Sequence, residues 1–192
     1  RWEKFCQLVA SRFSDFDEIL ETGASSEEVS ELASFVGVEF PIELIEMYMS
    51  SNGQRDKERA FFFDLEFLSL DEVKKAIASQ MERYEQLKGE GDMCSSTPEN
   101  CVKCEYVNSK WVPLFHGGGG GYIGVDFDPA SDGIVGQVVN FGIDDEDKFV
   151  LADSLEEFLL LCAEIMEGDE VSYNEEYKIY GYTEVYFPHA IA

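Results

Sequence analysis

The chain has 192 residues, with 14 Lys and Arg against 40 Asp and Glu, and so a formal charge of -26. With 45% hydrophobic and 14% aromatic residues it holds enough apolar material for one self-standing core, which argues against intrinsic disorder. A field this negative repels phosphate backbones and anionic lipid, so nucleic acid and acidic membranes are disfavoured as direct partners, and basic proteins or cations are favoured.

Apolar stretches such as Phe158 to Ala163 are far shorter than the roughly 20 residues a bilayer span needs, and no signal-peptide pattern opens the chain. Five cysteines, an odd number, suggest a reducing compartment over a disulfide scaffold, and the cytoplasm is the expected location. The acidity is regional. Between Arg12 and Arg55 there are ten acids and no Lys or Arg, and from Trp111 to Ala192 there are 17 acids opposed by Lys148 and Lys178. The middle, Arg55 to Lys110, is nearly balanced with nine basic and twelve acidic residues.

In chain order, Trp2, Phe5, Leu8, Val9, Phe16, Ile19 and Leu20 recur at helical spacing, which predicts an opening helix or helix pair stopped by Gly23. Ser25 and Glu28 have capping-box spacing ahead of Val29, Leu32, Ala33 and Val36, with Gly37 as a left-handed stop. Phe40-Pro41 starts a third helix that carries Leu44, Ile45, Tyr48 and Met49 to the Asn52-Gly53 turn. The aromatic run from Ala60 to Phe67 predicts a strand, and Ser69 with Glu72 caps a helix to about Lys88.

From Trp111 the pattern is that of an antiparallel meander: Trp111 to His116, the five-glycine run Gly117 to Gly121, Tyr122 to Asp128, a turn from Pro129 to Gly133, then Ile134 to Phe141. Lys148 to Ala152 adds a strand, and Ser154 with Glu157 caps a helix bearing Leu155, Phe158, Leu159, Cys162 and Ile165. The Tyr-rich tail predicts a hairpin turning at Gly181. The fold class is α+β: helices segregated around an antiparallel sheet in a single domain.

Three motifs carry chemistry by their letters and lack their partners. His116-Gly117-Gly118-Gly119 resembles an oxyanion-hole glycine motif, but the chain has no G-x-S-x-G elbow and its other histidine is His189. A tight connection between strands is the simpler reading. Cys101-x-x-Cys104, with Cys94, offers three thiolates to zinc and no nearby fourth ligand, which leaves unpaired loop thiols as the plainer expectation over a metal site or a disulfide. Asp126, Asp128 and Asp132-Gly133 resemble part of a calcium loop, but Gln137 stands where such a loop needs a bidentate glutamate. No set of catalytic residues is assembled, so a non-enzyme with no cofactor is expected.

The order of features resembles the SUKH superfamily, in the branch of the fungal cell-wall (glucan) synthesis regulator and many bacterial toxin-immunity proteins. The resemblance rests on Phe40-Pro-Ile-Glu-Leu44 leading to Tyr48 and Asn52-Gly53, on Phe67-Leu-Ser-Leu-Asp-Glu-Val73, and on Trp111-Val-Pro-Leu114. It rests further on Ile123-Gly-Val-Asp-Phe-Asp-Pro129, Gly133-x-x-Gly-Gln-Val138 and Ala152 to Leu159. It covers a core of about residues 2–165, inside a single domain of residues 1–192. The cysteine-bearing loop 89–108 and the extension 169–192 lie outside it. The resemblance implies an α+β fold with no shared catalytic residues.

From resemblance and charge together, the expected function is non-enzymatic protein binding, most concretely a cytoplasmic immunity protein that neutralises a basic toxin domain, often a nuclease. The alternative is a regulatory scaffold that binds cellular enzymes. The residues expected to meet the partner are Asp126, Asp128, Asp132, Asp144, Asp145, Glu146 and Asp147, at strand ends and loops of the meander, with an apolar anchor among them to supply affinity.

Overall fold

Local signals decide where most helices begin. In the computed structural model, the residues described are 1–11, 19–55, 57, 61–87, 94–117, 120–142, 145–167, 172–174 and 179–181. Helix α1 spans Trp2–Ala10, so the second part of the expected opening pair, from Arg12 to Glu18, lies outside the described residues. Helix α2 (Ser26–Val36) starts on the reciprocal Ser25 and Glu28 capping box and stops on Gly37, whose φ of 77° is the left-handed conformation that a side chain would strain. Pro41 sits one place earlier than expected, as N-cap of α3 (Ile42–Ser50). Helix α4 (Leu70–Leu87) follows Ser69, whose N–H donates to Glu72 Oε2 at 2.8 Å. Helix α5 (Leu155–Glu167) follows Ser154, whose Oγ accepts from Glu157 N–H at 3.2 Å.

The aromatic run departs from the expected single strand. Only Leu65–Phe67 is strand, β1. Phe62 bridges Leu65, and Phe63 and Asp64 between them both have positive φ (48° and 59°), the sense that a two-residue hairpin turn requires. The reversal persists because Phe61, Phe62 and Phe67 are buried against Trp2, Phe5 and Phe115. Ring centroids lie 4.9 Å apart for Trp2–Phe67 and 5.1 Å apart for Phe62–Phe115.

The remaining strands are β2 (Ser95–Thr97), β3 (Trp111–Gly117), β4 (Tyr122–Asp126), β5 (Gln137–Phe141) and β6 (Asp147–Ala152), with β7 (Ser172–Asn174) and β8 (Ile179–Gly181) in a separate hairpin. The sheet order is β1-β3-β4-β5-β6-β2, antiparallel except for the parallel β2–β6 edge. The meander from β3 to β6 is as expected, and where β3 passes to β4 Gly117 N–H donates to Gly121 O at 2.9 Å. In the tail hairpin the register Ser172↔Gly181 and Asn174↔Ile179 puts the reversal between Asn174 and Ile179, so Gly181 ends β8 and is not the turn.

The helices cover one face of the sheet, over a core that includes Phe115, Ile123, Val125, Val138 and Phe158. The other face carries a smaller cluster of Val102, Trp111, Val139 and Phe141. Val102 comes from the cysteine-bearing stretch, which also supplies β2 and closes on itself through a Cys94–Cys104 disulfide. The expectation of unpaired loop thiols is corrected there: β2 docking on β6 brings two cysteines ten residues apart into bonding range. Cys6, Cys101 and Cys162 stay free thiols, so the odd count behind the expected reducing compartment stands beside one disulfide. No helix among the described residues is long and apolar enough to cross a membrane.

Candidate functional site

Strand parity separates the expected acids into two groups. The β4–β5 loop, carrying Asp128 and Asp132, leaves one end of the meander, and the β5–β6 loop, carrying Asp145 and Glu146, leaves the other. Five-residue β5 lies between them, roughly 15 Å of extended chain. A single acidic surface is therefore not formed, because consecutive hairpin loops of a meander fall at opposite ends. Asp144 lies outside the described residues.

At the β4–β5 end, Asp126 is fully buried, which corrects its assignment as a surface contact. Its backbone pairs with Gln137 across the strands, and its carboxylate accepts from Gln137 Nε2 at 2.9 Å and from Asp128 N–H at 2.8 Å. Burial pushes this carboxyl above the ordinary Asp range, while the hydrogen bonds from Asp128 N–H and Gln137 pull against that rise. Gln137 Nε2 also donates to Cys101 O at 2.9 Å, and Gln137 Oε1 accepts from Ile134 N–H at 3.0 Å. Ala130 N–H donates to Cys101 O and Asp132 N–H to Asn100 O, so the loop is laced to the cysteine-bearing stretch. Gly133 permits that approach: a Cβ there would stand 2.1 Å from Cys101 O.

Asp128 is half-buried and accepts from Lys103 Nζ at 2.6 Å and Asn108 Nδ2 at 2.8 Å, which hold its carboxyl below the ordinary range. A lowered carboxyl pKa stabilises the fold above the unfolded value of about 3.9 and loses that contribution as pH falls through the folded value. In urea titrations the stability gap between the native chain and Asp128→Asn is expected to be widest at neutral pH and to close below about pH 4; a gap independent of pH would place the carboxylate outside this ion pair.

Asp132 stands exposed at the turn, beside an unexpected feature. Ile134 and Val135, read from sequence as the start of a strand, form an exposed apolar tip at 50% and 67% exposure. Strand β5 begins only at Gln137 because Gly136 (φ 96°) turns the chain and donates its N–H to Asp126 O at 2.8 Å. Two aliphatic side chains on a hydrogen-bonded frame, next to an exposed carboxylate, make a preorganised anchor of the kind protein interfaces use. Their β-branched sequence points equally to a strand, so only the glycine after them could have signalled a tip.

At the other end, Glu146 and Asp147 are exposed, with Asp147 accepting from Ser95 Oγ at 2.7 Å, and Asp145 is half-buried. The cation here is Lys148, fully buried, donating to Asp145 O at 2.8 Å with Nζ 5.4 Å from the Trp111 ring centroid. One desolvated ammonium thus sits against the backbone of this acidic loop.

Among the described residues, neither the catalytic nor the metal reading finds its partners assembled. His116 lies on β3 with its ring 5.0 Å from Tyr122, and His189 falls outside the described residues. The Cys94–Cys104 bond takes two of the three sulfurs a zinc site needed, and Cys101 Sγ donates to Asp132 O at 3.6 Å. Among the described residues no group of three or more His, Cys, Asp or Glu could hold a metal ion.

Curated fungal proteins resemble parts of the chain. It is 38% identical over 85 residues to the cell wall assembly regulator SMI1 of Saccharomyces cerevisiae, covering 43% of this chain and 17% of that protein. It is 35% identical over 82 residues to the cell wall biosynthesis/cell cycle regulator smi1 of Schizosaccharomyces pombe, covering 43% and 16%. With the glucan synthesis regulatory protein of Neurospora crassa it shares 36% identity over 69 residues, covering 36% and 13%. The similarity thus spans about a sixth or less of each relative's length. The family model for SMI1 / KNR4 (SUKH-1) matches residues 23–161, from just before α2 to the middle of α5, and the chain belongs to that family.

Proposed function

We propose that this chain is a non-enzymatic regulatory domain that acts by binding a protein partner, in the manner that its relatives' names as cell-wall and glucan-synthesis regulators suggest. The observation that carries the reading is the β4–β5 tip: Ile134 and Val135 exposed on a frame tied to Cys101, Asn100 and Asp126, with Asp132 beside them. Apolar anchors supply affinity, about 1.5–3 kcal/mol for each aliphatic side chain fully buried, and the net charge of -26 biases encounter toward basic surfaces. Immunity to a basic toxin domain draws on the charge and on the broader SUKH resemblance, whereas the regulatory reading also has the named fungal relatives behind it.

The test compares the native chain with Ile134→Ser/Val135→Ser as baits in lysate of the source cells, at low and high salt, with quantitative mass spectrometry. A protein enriched by the native chain, lost by tenfold or more with the double variant and weakened by salt, is the expected result. Identical recovery by both baits overturns the assignment of the tip. A secreted or toxin-domain protein as the enriched partner would favour immunity over regulation.

A further inference from the structure

Helices α2 and α3 lie within the acidic stretch that has no Lys or Arg between Arg12 and Arg55, and they leave a groove between them of about 730 Å³. Its apolar wall is Val29, Ala33, Val38, Phe40 and Ile45, and Phe40 is held rigid by stacking on Phe127 at 5.7 Å between centroids. Beyond the groove, α3 turns outward a row of Ile42, Ile45 and Met49, spaced i, i+3 and i+7, with Ile42 58% and Met49 49% exposed. Met49 continues into a second hollow, between α1 and α3, of about 480 Å³. Apolar surface of this extent on a helix face is unusual unless something covers it.

The carboxylates around it say what. Glu39 forms part of the groove lip, Glu46 lines the second hollow, Glu43 lies between them in sequence on α3, and Glu27 and Glu31 flank the Ser26, Ser30, Ser34 row of α2. Glu39, Glu43 and Glu46 make no ion pair among the described residues, whereas Glu21 pairs with Arg55 and Glu31 lies 3.7 Å from Lys74. We infer that the α2–α3 face docks an amphipathic helix of a partner protein, with apolar side chains at i, i+3 or i+4 and i+7 and with Lys or Arg on its flanks.

A helix fits better than an extended peptide. The walls are α2, α3 and the short connection from Gly37 to Phe40 between them, with no β-strand among them, so they present no sheet edge for a strand to extend, while a helix brings its own hydrogen bonds and needs only side-chain contact. A second copy of this chain is a poor occupant, because a two-fold contact through α3 would set Glu39, Glu43 and Glu46 against their own copies. An anionic membrane is repelled for the same reason. The inference goes beyond the β4–β5 tip and is independent of it.

The test is fluorescence anisotropy of the full chain with a synthetic amphipathic helix of about four turns, bearing a Leu face and Lys/Arg flanks. Two control peptides keep the same Leu face with Glu flanks, or the same charges with the Leu residues scattered. The basic peptide is expected to bind saturably, more weakly at high salt, and the controls at least tenfold more weakly. Ile42→Ser/Met49→Ser, both at exposed positions, and separately Glu39→Lys/Glu46→Lys, should each weaken binding tenfold or more with unchanged melting temperature. Ile134→Ser/Val135→Ser should leave it unchanged, which separates this surface from the tip. Equal binding of either control peptide, or unaltered binding to the α3 variants, overturns the inference. So does a dimer in sedimentation that Ile42→Ser/Met49→Ser dissolves, since a second copy would then be the occupant.

Discussion

Replacing Lys148 with alanine is expected to lower the unfolding free energy by about 3–4 kcal/mol, read as a fall in urea midpoint. The side chain is fully buried at the start of β6, its Nζ bonded to Asp145 O and lying over the Trp111 ring. Removing it opens a cavity against Trp111, frees the half-buried Asp145 carbonyl, and withdraws the cation from the acidic β5–β6 loop. Lys148→Met separates these contributions. It restores the unbranched stem and its volume, so a loss of about 1–2 kcal/mol is expected, for the missing hydrogen bond and cation–π contact. Equal losses in the two variants would mean that charge, and not packing, dominates at this position.

Replacing Asp126 with alanine is expected to cost about 2–3 kcal/mol, because the half-buried Asp128 N–H loses its acceptor and Gln137 Nε2 keeps only the Cys101 carbonyl. Asparagine does not rescue it fully. Both Asp126 oxygens accept from donors, and an amide can accept on one side only, so one donor faces another whichever way the amide points. The pH dependence has the opposite sign to that of Asp128. A carboxyl raised by burial holds its proton to higher pH in the folded chain than in the unfolded one, so its contribution declines as pH rises from about 4 through the folded value. The native-minus-Asp126→Asn stability gap should therefore narrow as pH rises above about 4, whereas the native-minus-Asp128→Asn gap opens below about pH 4 and is level above it. Parallel curves for the two variants would show that burial does not distinguish these neighbours. Since Asp126 frames the β4–β5 tip, its alanine variant should also weaken partner capture without altering Ile134 or Val135 themselves.

Those two aspartates show where sequence reading stops. Both stand in a turn-rich stretch, two residues apart, and nothing local marks one as interior and the other as half-exposed. Their fates are decided by β4 pairing with β5 and by the stretch around Cys101, some 25 residues earlier in the chain, folding over the same loop. The capping boxes at Ser25 and Ser69 were legible because all their atoms lie within four residues of chain. The three-phenylalanine run illustrates the opposite case. Its β propensity pointed to one strand, but burial of Phe61 and Phe62 against Trp2, Phe5 and Phe115, with Phe63 packed on Phe62, outweighs the cost of the positive φ angles at Phe63 and Asp64. The acids expected to form one docking surface were divided by a rule no single loop contains, the alternation of hairpin ends in a meander.

What the sequence alone determined is what short range and composition control: the helix starts, the strand order of the meander, the class of fold and a charge that favours basic partners. Tertiary structure decided the rest. It joined Cys94 to Cys104, sank Asp126 and Lys148, lifted Ile134 and Val135 into solvent, and left Ile42 and Met49 uncovered between acids. Each of these depends on which distant segment arrives to pack or to accept a hydrogen bond, and burial is a property of that arrival, not of the residue type.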